Sequence, residues 1–345
     1  MKKVLHITES FGGGVQTALY SYVKSSRNER FEHHLLAKVR QADDTKQQSD
    51  QNFASETRSY NSLLGFFKEC RQLVKTLDPD IIHLHSSFAG FLGRFLPKKN
   101  GVKVIYTPHC YAFERQDISP AKALVFKTLE KTLLSRIDII AGCSQRECEL
   151  ALKLGAKHTT LLNNYVNLDI PSYRVDMNNQ TPFIITVLGR VSKQKDPEFL
   201  IDMVQNLNGD IQDRGVRIRW IGGGDAELEQ RLRDTGIEVT GMLPRDEVLT
   251  QLQQAHLYIH TAAWEGMPLT ILEAAKVCLP MVLRKISSTQ HLEYPFLATT
   301  PQEMAIQVEH CIEQYHDIPF DYYCNVLNNQ FSEEQQCNAL REIYA

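Results

Sequence analysis

The amino-acid sequence predicts an α/β protein built from two doubly wound, Rossmann-like domains. Three observations carry that expectation. Short apolar runs of strand length alternate with helical periodicities along the chain, the pattern that builds a parallel sheet with right-handed crossovers. At 345 residues the chain is long enough for two domains, each with a core of its own. Charge also divides along it: residues 1–170 carry 24 Lys and Arg against 17 Asp and Glu, a net of +7, and the remainder carries 14 against 24, a net of −10. Halves of opposite sign are expected to meet different things.

Lys3–Ile7 reads as the first strand, followed by Gly12, Gly13 and Gly14 and then a helix over Val15–Val23 with apolar residues at 15, 18, 19, 22 and 23. Strand, glycine loop and helix form a phosphate-approach element, although three adjacent glycines are not the G-x-G-x-x-G of dinucleotide folds. Further strands are expected at His34–Ala37, Ile81–Leu84, Val104–Thr107 and Ile137–Ala141, with helices at Leu63–Leu77 and Ala121–Leu134. Ligands of such sheets bind at the carboxyl ends of the strands. The positions of interest are therefore His85-Ser86-Ser87, Pro108-His109-Cys110 and Cys143-Ser144. His83 and His85 flank Leu84 and are expected to face opposite sides of their strand, one in the core and His85 lining the ligand side. Phe88–Lys103 interleaves Phe88, Phe91, Phe95 and Leu96 with Arg94, Lys98, Lys99 and Lys103. That mixture suits an anionic membrane surface; the alternative is a helix with its phenylalanines in the core and its lysines solvated.

Asn163–Gln180 is polar and turn-rich, which places a linker there and a domain boundary near residue 170. Beyond it, the strand Phe183–Leu188 runs into Gly189-Arg190-Val191-Ser192-Lys193-Gln194-Lys195-Asp196, and a strand ending at Arg219–Ile221 runs into Gly222-Gly223-Gly224-Asp225. His256–Thr261 is a short apolar strand feeding Trp264–Ala275, WEGMPLTILEAA. Here Glu265 sits on a Gly-Met-Pro turn and Glu273 lies eight positions later in a helix. Gly266 is expected to use backbone angles closed to other residues, and Pro268 suits the first helical position. Free N–H groups and the helix dipole at such a start face a phosphate. Two carboxylates beside a phosphate suit the hydroxyls of a sugar or ribose, which donate to ionised oxygens.

Composition narrows the class. With 43% apolar and 23% charged residues the chain is an ordinary globular one, and its apolar runs fall short of a membrane span. His6, Thr8 and Glu9 interrupt the stretch after Lys2 and Lys3, so no signal peptide is expected. Eight cysteines without C-x-x-C spacing read as buried thiols in a reducing compartment, and twelve histidines without H-E-x-x-H spacing give no metal site. No nucleic-acid motif accompanies the basic half, so no nucleic-acid partner is expected.

The string EGMPLTILEA, with its E-x7-E spacing between a strand and an apolar helix, resembles the signature of the retaining glycosyltransferases of family four, enzymes of the GT-B fold. The resemblance implies two Rossmann-like domains facing across a cleft: residues 1–170 on the acceptor side, 171–328 binding the nucleotide sugar, and a terminal helix in 329–345 returning to the first domain. Roles follow by position. Arg190 and Lys195, with Lys193 a decoy, stabilise the leaving diphosphate as two fixed cations, so no metal or other cofactor is needed beside the UDP-sugar donor. Backbone groups of Gly266, Met267, Pro268, Leu269 and Thr270 approach the same diphosphate. Glu265 holds sugar hydroxyls and Glu273 the ribose. His109 stands near the reacting end of the donor sugar, Gly13 and Gly14 face the diphosphate and acceptor, and Met242 lies by the base. No protein nucleophile is implied, since the leaving phosphate takes the acceptor's proton.

The chain departs from the family at Asn164-Tyr165-Val166-Asn167, where Asn-Gly-Val-Asp is usual, and at Cys278–Val282, where a glycine precedes the Pro-Val strand. Arg284-Lys285 and a short loop to Pro295 follow. The expected activity is transfer from a UDP-sugar to a glycan or polyprenyl-linked acceptor in bacterial surface polysaccharide synthesis. Its place would be the cytoplasm, peripherally on the inner face of the membrane. A sugar-nucleotide 2-epimerase on the same fold and a non-enzymatic sugar-nucleotide-binding protein are the alternatives. The oligomeric state is not implied.

Overall fold

β-branched and apolar runs of the first half pair edge to edge because their side chains are buried on both faces of the sheet. The computed structural model describes residues 1–27, 30–39, 53–168, 182–209 and 214–345. Two compact units result: Met1–Tyr165 together with Phe331–Ala345, and Val166–Gln330. The boundary expected at 170 and the linker beyond 168 lie outside the described residues.

Among the described residues, the first unit holds β1 (Lys2–Thr8), β2 (Phe31–Lys38), β3 (Ser55–Ser59), β4 (Ile81–His85), β5 (Lys103–Thr107), β6 (Ile139–Gly142) and β7 (Thr159–Leu161). They form one sheet in the order β3-β2-β1-β4-β5-β6-β7, parallel throughout. Its helices are α1 (Gly13–Ser25), α2 (Leu63–Leu77), α3 (Ser87–Gly93), α4 (Pro120–Leu133) and α5 (Gln145–Leu154). Phe66, Cys70 and Val74 of α2 pack on one face, against Leu5, Ile7, Leu84 and Tyr106. Tyr22 and Ala18 of α1 pack on the other, against Val4, Ile81 and Ile105.

The second unit holds β8 (Phe183–Leu188), β9 (Val216–Ile221), β10 (Glu238–Val239), β11 (Leu257–His260), β12 (Met281–Arg284) and β13 (Leu297–Ala298). They form a parallel sheet in the order β10-β9-β8-β11-β12-β13. Around it lie α6 (Pro197–Gln205), α7 (Ala226–Asp234), α8 (Arg245–Gln253), α9 (Leu269–Lys276), α10 (Pro301–Glu313) and α11 (Phe320–Gln330).

The last helix, α12 (Glu333–Tyr344), belongs to the first unit. Ser332 caps it by accepting from Gln335 N, the bond that the string Ser332-Glu333-Glu334-Gln335 favours as a capping box. Leu340, Ile343 and Tyr344 are fully buried beside Tyr22 and Val4, each worth about 2 kcal/mol of hydrophobic burial. Gln336 donates to Asn163 O at 2.8 Å and Asn163 Nδ2 to Ser332 O at 3.1 Å. Asn163, just ahead of the departure at 164–167, is thus a docking point for α12.

Two expectations need correction. His83 and His85 share a face, with ring centroids 4.1 Å apart, because strand side chains alternate with period two and residues two apart point the same way. The segment 88–103 is not a continuous basic-aromatic surface. Leu96 is buried, Arg94 pairs with buried Glu130 at 2.6 Å, and Lys98 and Lys99 pair with Asp138 and Asp78. Phe88 and Phe95 remain about half exposed.

Candidate active site

Each sheet reverses its strand order once, between β1 and β4 and between β8 and β11. The loops leaving such a pair diverge and open a crevice. In the second unit those loops are 189–196 and 261–268.

Loop 189–196 is shaped by its neighbour. Gly189 (φ 146°) accepts from Trp220 Nε1 at 2.8 Å. A Cβ on Gly222 would stand 2.2 Å from Gly189 O, and one on Gly224 2.2 Å from Val191 O. The Gly222–Gly224 run therefore admits the protein's own backbone, sealed by Val191 N to Gly223 O at 3.1 Å and Asp225 N to Val191 O at 2.9 Å. On its other side the loop is stitched to 261–268. Thr261 Oγ1 donates to Lys195 O at 2.6 Å, Ala263 N to Gln194 O at 2.9 Å and Gln194 Nε2 to Trp264 O at 3.0 Å.

That stitching brings Lys195 Nζ within 2.7 Å of Glu265 Oε1, with the two side chains only 16% and 14% exposed. The contact is an ion pair without the alignment of a hydrogen bond, so the carboxylate keeps acceptor capacity for hydroxyl groups. Arg190 is on the same loop, exposed, as is Lys193. Asp196, at φ 51°, caps α6 through Phe199 N. Its Oδ2 receives Arg284 Nη1 at 2.6 Å, and the same nitrogen donates to Thr261 O at 2.9 Å. The Arg284 guanidinium also lies 4.0 Å from the Phe199 ring centroid. Arg284, met in the sequence only as a departure, cross-braces the ends of β8, β11 and β12. His260, also not anticipated, is buried at the end of β11. Burial, with Lys195 and Arg284 nearby, holds it well below the ordinary histidine range.

α9 begins at Leu269, one residue later than expected, with Pro268 as its cap residue and no side-chain cap. Gly266 does not take a positive φ, so the turn makes no use of glycine's freedom there. Met267 is buried. Thr270 Oγ1 accepts from Tyr258 OH at 2.8 Å, which turns its side chain inward. The uncapped start presents the first-turn N–H groups of Leu269 and Thr270 as an anion site. Glu273 is buried and ion-paired with Arg245 at 2.6 Å; burial raises its pKa and Arg245 opposes the rise. Met242 stands exposed after Gly241 (φ 74°).

In the first unit, Gly13 takes φ 53° with open space where a Cβ would be, and Gly14 lies in the first turn of α1. Glu9, after β1, accepts from Ser86 Oγ at 2.6 Å and Ala89 N at 2.7 Å, closing the start of α3; burial raises its pKa. His109, after β5, has φ 51° and keeps part of its surface exposed. Its surroundings are dense enough to lower its pKa to about 4. Its Nε2 lies 3.2 Å from His85 Nδ1. Glu147 accepts from Cys110 N at 2.5 Å and Cys143 N at 2.8 Å, and burial lifts it to about 7. His6, His83 and His85 bring ring nitrogens within 4.8 Å of one another, a grouping that sequence spacing did not reveal. Every one of those nitrogens already has a hydrogen-bond partner: His33, His85 and His109 within the cluster's neighbourhood, and Tyr344 and Thr107 for His83.

The two parallel sheets are those of the GT-B fold. A sucrose-phosphate synthase from Thermosynechococcus elongatus superposes with a TM-score of 0.82 at 14% identity, covering 100% of this chain and 98% of that one. Anabaena HepE in complex with UDP-glucose superposes with a TM-score of 0.78 at 16% identity, covering 100% and 99%. Residues 12–170 match the model described as Glycosyltransferase Family 4, and residues 182–314 that described as Glycosyl transferases group 1. The chain belongs to this glycosyltransferase family. It is 25% identical over 299 residues to an uncharacterized 41.2 kDa protein in the cps region of Klebsiella pneumoniae, covering 83% of this chain and 81% of that protein. It is 27% identical over 257 residues to the UDP-Gal:α-D-GlcNAc-diphosphoundecaprenol α-1,3-galactosyltransferase of Escherichia coli, covering 68% of this chain and 64% of that enzyme. No helix among the described residues is long and apolar enough to cross a membrane.

Proposed function

We propose that the protein transfers a sugar, with retention, from a UDP-sugar to a polyprenyl-diphosphate-linked glycan during surface polysaccharide synthesis. The Lys195–Glu265 pair at the β8/β11 switch point carries this reading. Departure of UDP builds negative charge on the diphosphate. Lys195, Arg190 and the uncapped start of α9 supply fixed positive charge and N–H groups for it, so no metal is required. Glu265 accepts from sugar hydroxyls and Glu273 from the ribose. His109 of the first unit takes the role that the family resemblance gives it, at the reacting end of the donor. The acceptor hydroxyl attacks C1 on the face from which UDP leaves, and a diphosphate oxygen takes its proton.

Support for the donor comes from the UDP-glucose in the HepE complex and the UDP-Gal in the Escherichia coli relative's name; support for the acceptor comes from that relative's diphosphoundecaprenol. A lipid-linked acceptor must be met at a bilayer. α4 exposes Leu124, Val125 and Leu129 beside Lys122, Lys127 and Lys131, an apolar stripe with cations that suits an anionic surface. A thermal-shift screen against UDP-, GDP- and ADP-sugars tests the donor, with stabilisation by a UDP-sugar alone as the expected result. Transfer to a polyprenyl-diphosphate-linked sugar in the presence of EDTA, with the product anomer read by NMR, tests acceptor, metal independence and retention. Isomerisation of the donor in the absence of any acceptor would instead identify an epimerase.

A further inference from the structure

The polar side of the first sheet carries a line of histidines of which the reaction just described uses His109 alone. Ser26 Oγ, at the end of α1, lies 2.9 Å from His33 Nε2. His33 Nδ1 lies 3.0 Å from His6 Nε2, His6 Nδ1 3.0 Å from His85 Nε2, and His85 Nδ1 3.2 Å from His109 Nε2. Four rings from β2, β1, β4 and the loop after β5 are thus joined head to tail. Ser26, His33, His6 and His85 are buried, and His109 alone retains access to solvent.

Each N···N contact needs one hydrogen and one lone pair. Burial holds His6 and His85 well below the ordinary histidine range, and His33 and His109 at about 4. A neutral ring has a single N–H, so the tautomer of one ring dictates that of the next. The direction is set at the closed end. Ser26 Oγ–H donates to Tyr22 O at 2.7 Å, which leaves the hydroxyl oxygen as an acceptor and requires N–H at His33 Nε2. Around the line, His83 is occupied by Tyr344 OH and Thr107 Oγ1, each at 2.8 Å. Tyr22 stacks on His85 and His109, Phe53 meets His6 edge-on, and His34 is engaged by Ser55 and Glu32.

We infer that Ser26, His33, His6 and His85 act as positioning residues that fix His109 as its Nε2–H tautomer, so that its Nδ1 is left as a bare acceptor at the carboxyl end of β5. In this state His109 accepts a hydrogen bond from a substrate hydroxyl and cannot donate one. The line orders tautomers and conducts no proton, because its far end is a backbone carbonyl with no proton to release or take. Its consequence for substrate rests on the donor-side place given to His109 above; the tautomer assignment does not.

The test is a two-bond ¹H–¹⁵N correlation spectrum of the full chain labelled at histidine ring nitrogens, with His109 signals identified by their loss in His109→Gln. At pH 7.5 His109 is expected as the neutral Nε2–H form. In Ser26→Ala the second polarity is expected to appear at His109, populated to about half, and Ser26→Thr restores the single form. If both polarities become equal, the competent fraction halves and kcat/KM falls about twofold. A protonated or Nδ1–H His109 in the unmodified protein overturns the inference, as does an unchanged His109 in a folded Ser26→Ala variant. Addition of UDP should move the His109 signals; their failure to move counts against the donor-side place of His109 while leaving the tautomer order standing.

Discussion

Lys195 and Glu265 meet because two loops hydrogen-bond backbone to backbone and side chain to backbone, and neither residue is needed to hold those loops together. The functional cost of removing either therefore exceeds the structural one. Lys195→Ala is expected to lower kcat by about 100- to 1000-fold, the scale of losing one fixed charge-stabilising group, with the melting temperature nearly unchanged. Glu265→Gln should fall in the same range, since the amide keeps the shape and loses the charge that receives sugar hydroxyls. Steady-state rates with circular dichroism melts check both, and wild-type turnover in either variant contradicts the assignment. Arg284 acts through others. Arg284→Lys keeps the charge and loses the fork that reaches Asp196 and Thr261 together with the stacking on Phe199. A higher KM for the donor with a smaller change in kcat is the expected outcome.

Among elements, the loop after β9 and the histidine-bearing strands β1, β2 and β4 make the most specific demands. Gly224→Ala would drive a methyl group into Val191 O, with Arg190 Cγ also 3.0 Å away. The loop that carries Arg190 and Lys195 must then move, and donor affinity measured by calorimetry should drop before thermal stability does. The histidines of the first sheet make the unit acid-sensitive. His6, His33, His83, His85 and His109 all have folded pKa values below the ordinary histidine value of 6.5. The unfolded chain therefore binds more protons than the folded one between about 6.5 and 4, and stability present above 6.5 is lost as pH falls through that window. Glu147, held at about 7, and Glu9, also raised by burial, oppose this and favour the folded state at lower pH, but they are two groups against these five. Urea midpoints at pH 7.5, 6 and 5 should decline steeply, and a flat profile would mean that the rings are not held neutral.

At the scale of the molecule, the first unit is completed by the last fifteen residues of the chain. Its α1 face lacks a cover until α12 supplies Leu340, Ile343 and Tyr344. Leu340→Ala should destabilise this unit by about 2–5 kcal/mol, seen in calorimetry as one transition moving to lower temperature while that of Val166–Gln330 stays. Tyr344 adds a polar tie, since its hydroxyl lies 2.8 Å from His83 Nδ1. The chain end is thus linked through packing to the histidine line beside β4. Two sheets with one reversal each also explain why chemistry collects in so few loops: only there do neighbouring connections diverge.

The sequence by itself determined the two-sheet architecture and the capped terminal helix, and it singled out Lys195 and Glu265, which the structure brings together. Each depends on local signals: apolar runs, glycine turns and a Ser-x-x-Gln cap. The edge strand Ser55–Ser59 was not legible, because its polar SETRS string takes its conformation from pairing with β2 and not from its own pattern. The role of Arg284 and the line from Ser26 to His109 were decided only by tertiary structure. They join residues between 7 and 88 positions apart through register and loop contact. Such contacts are properties of the folded sheet, set by which strands become neighbours, and no stretch of chain encodes them alone.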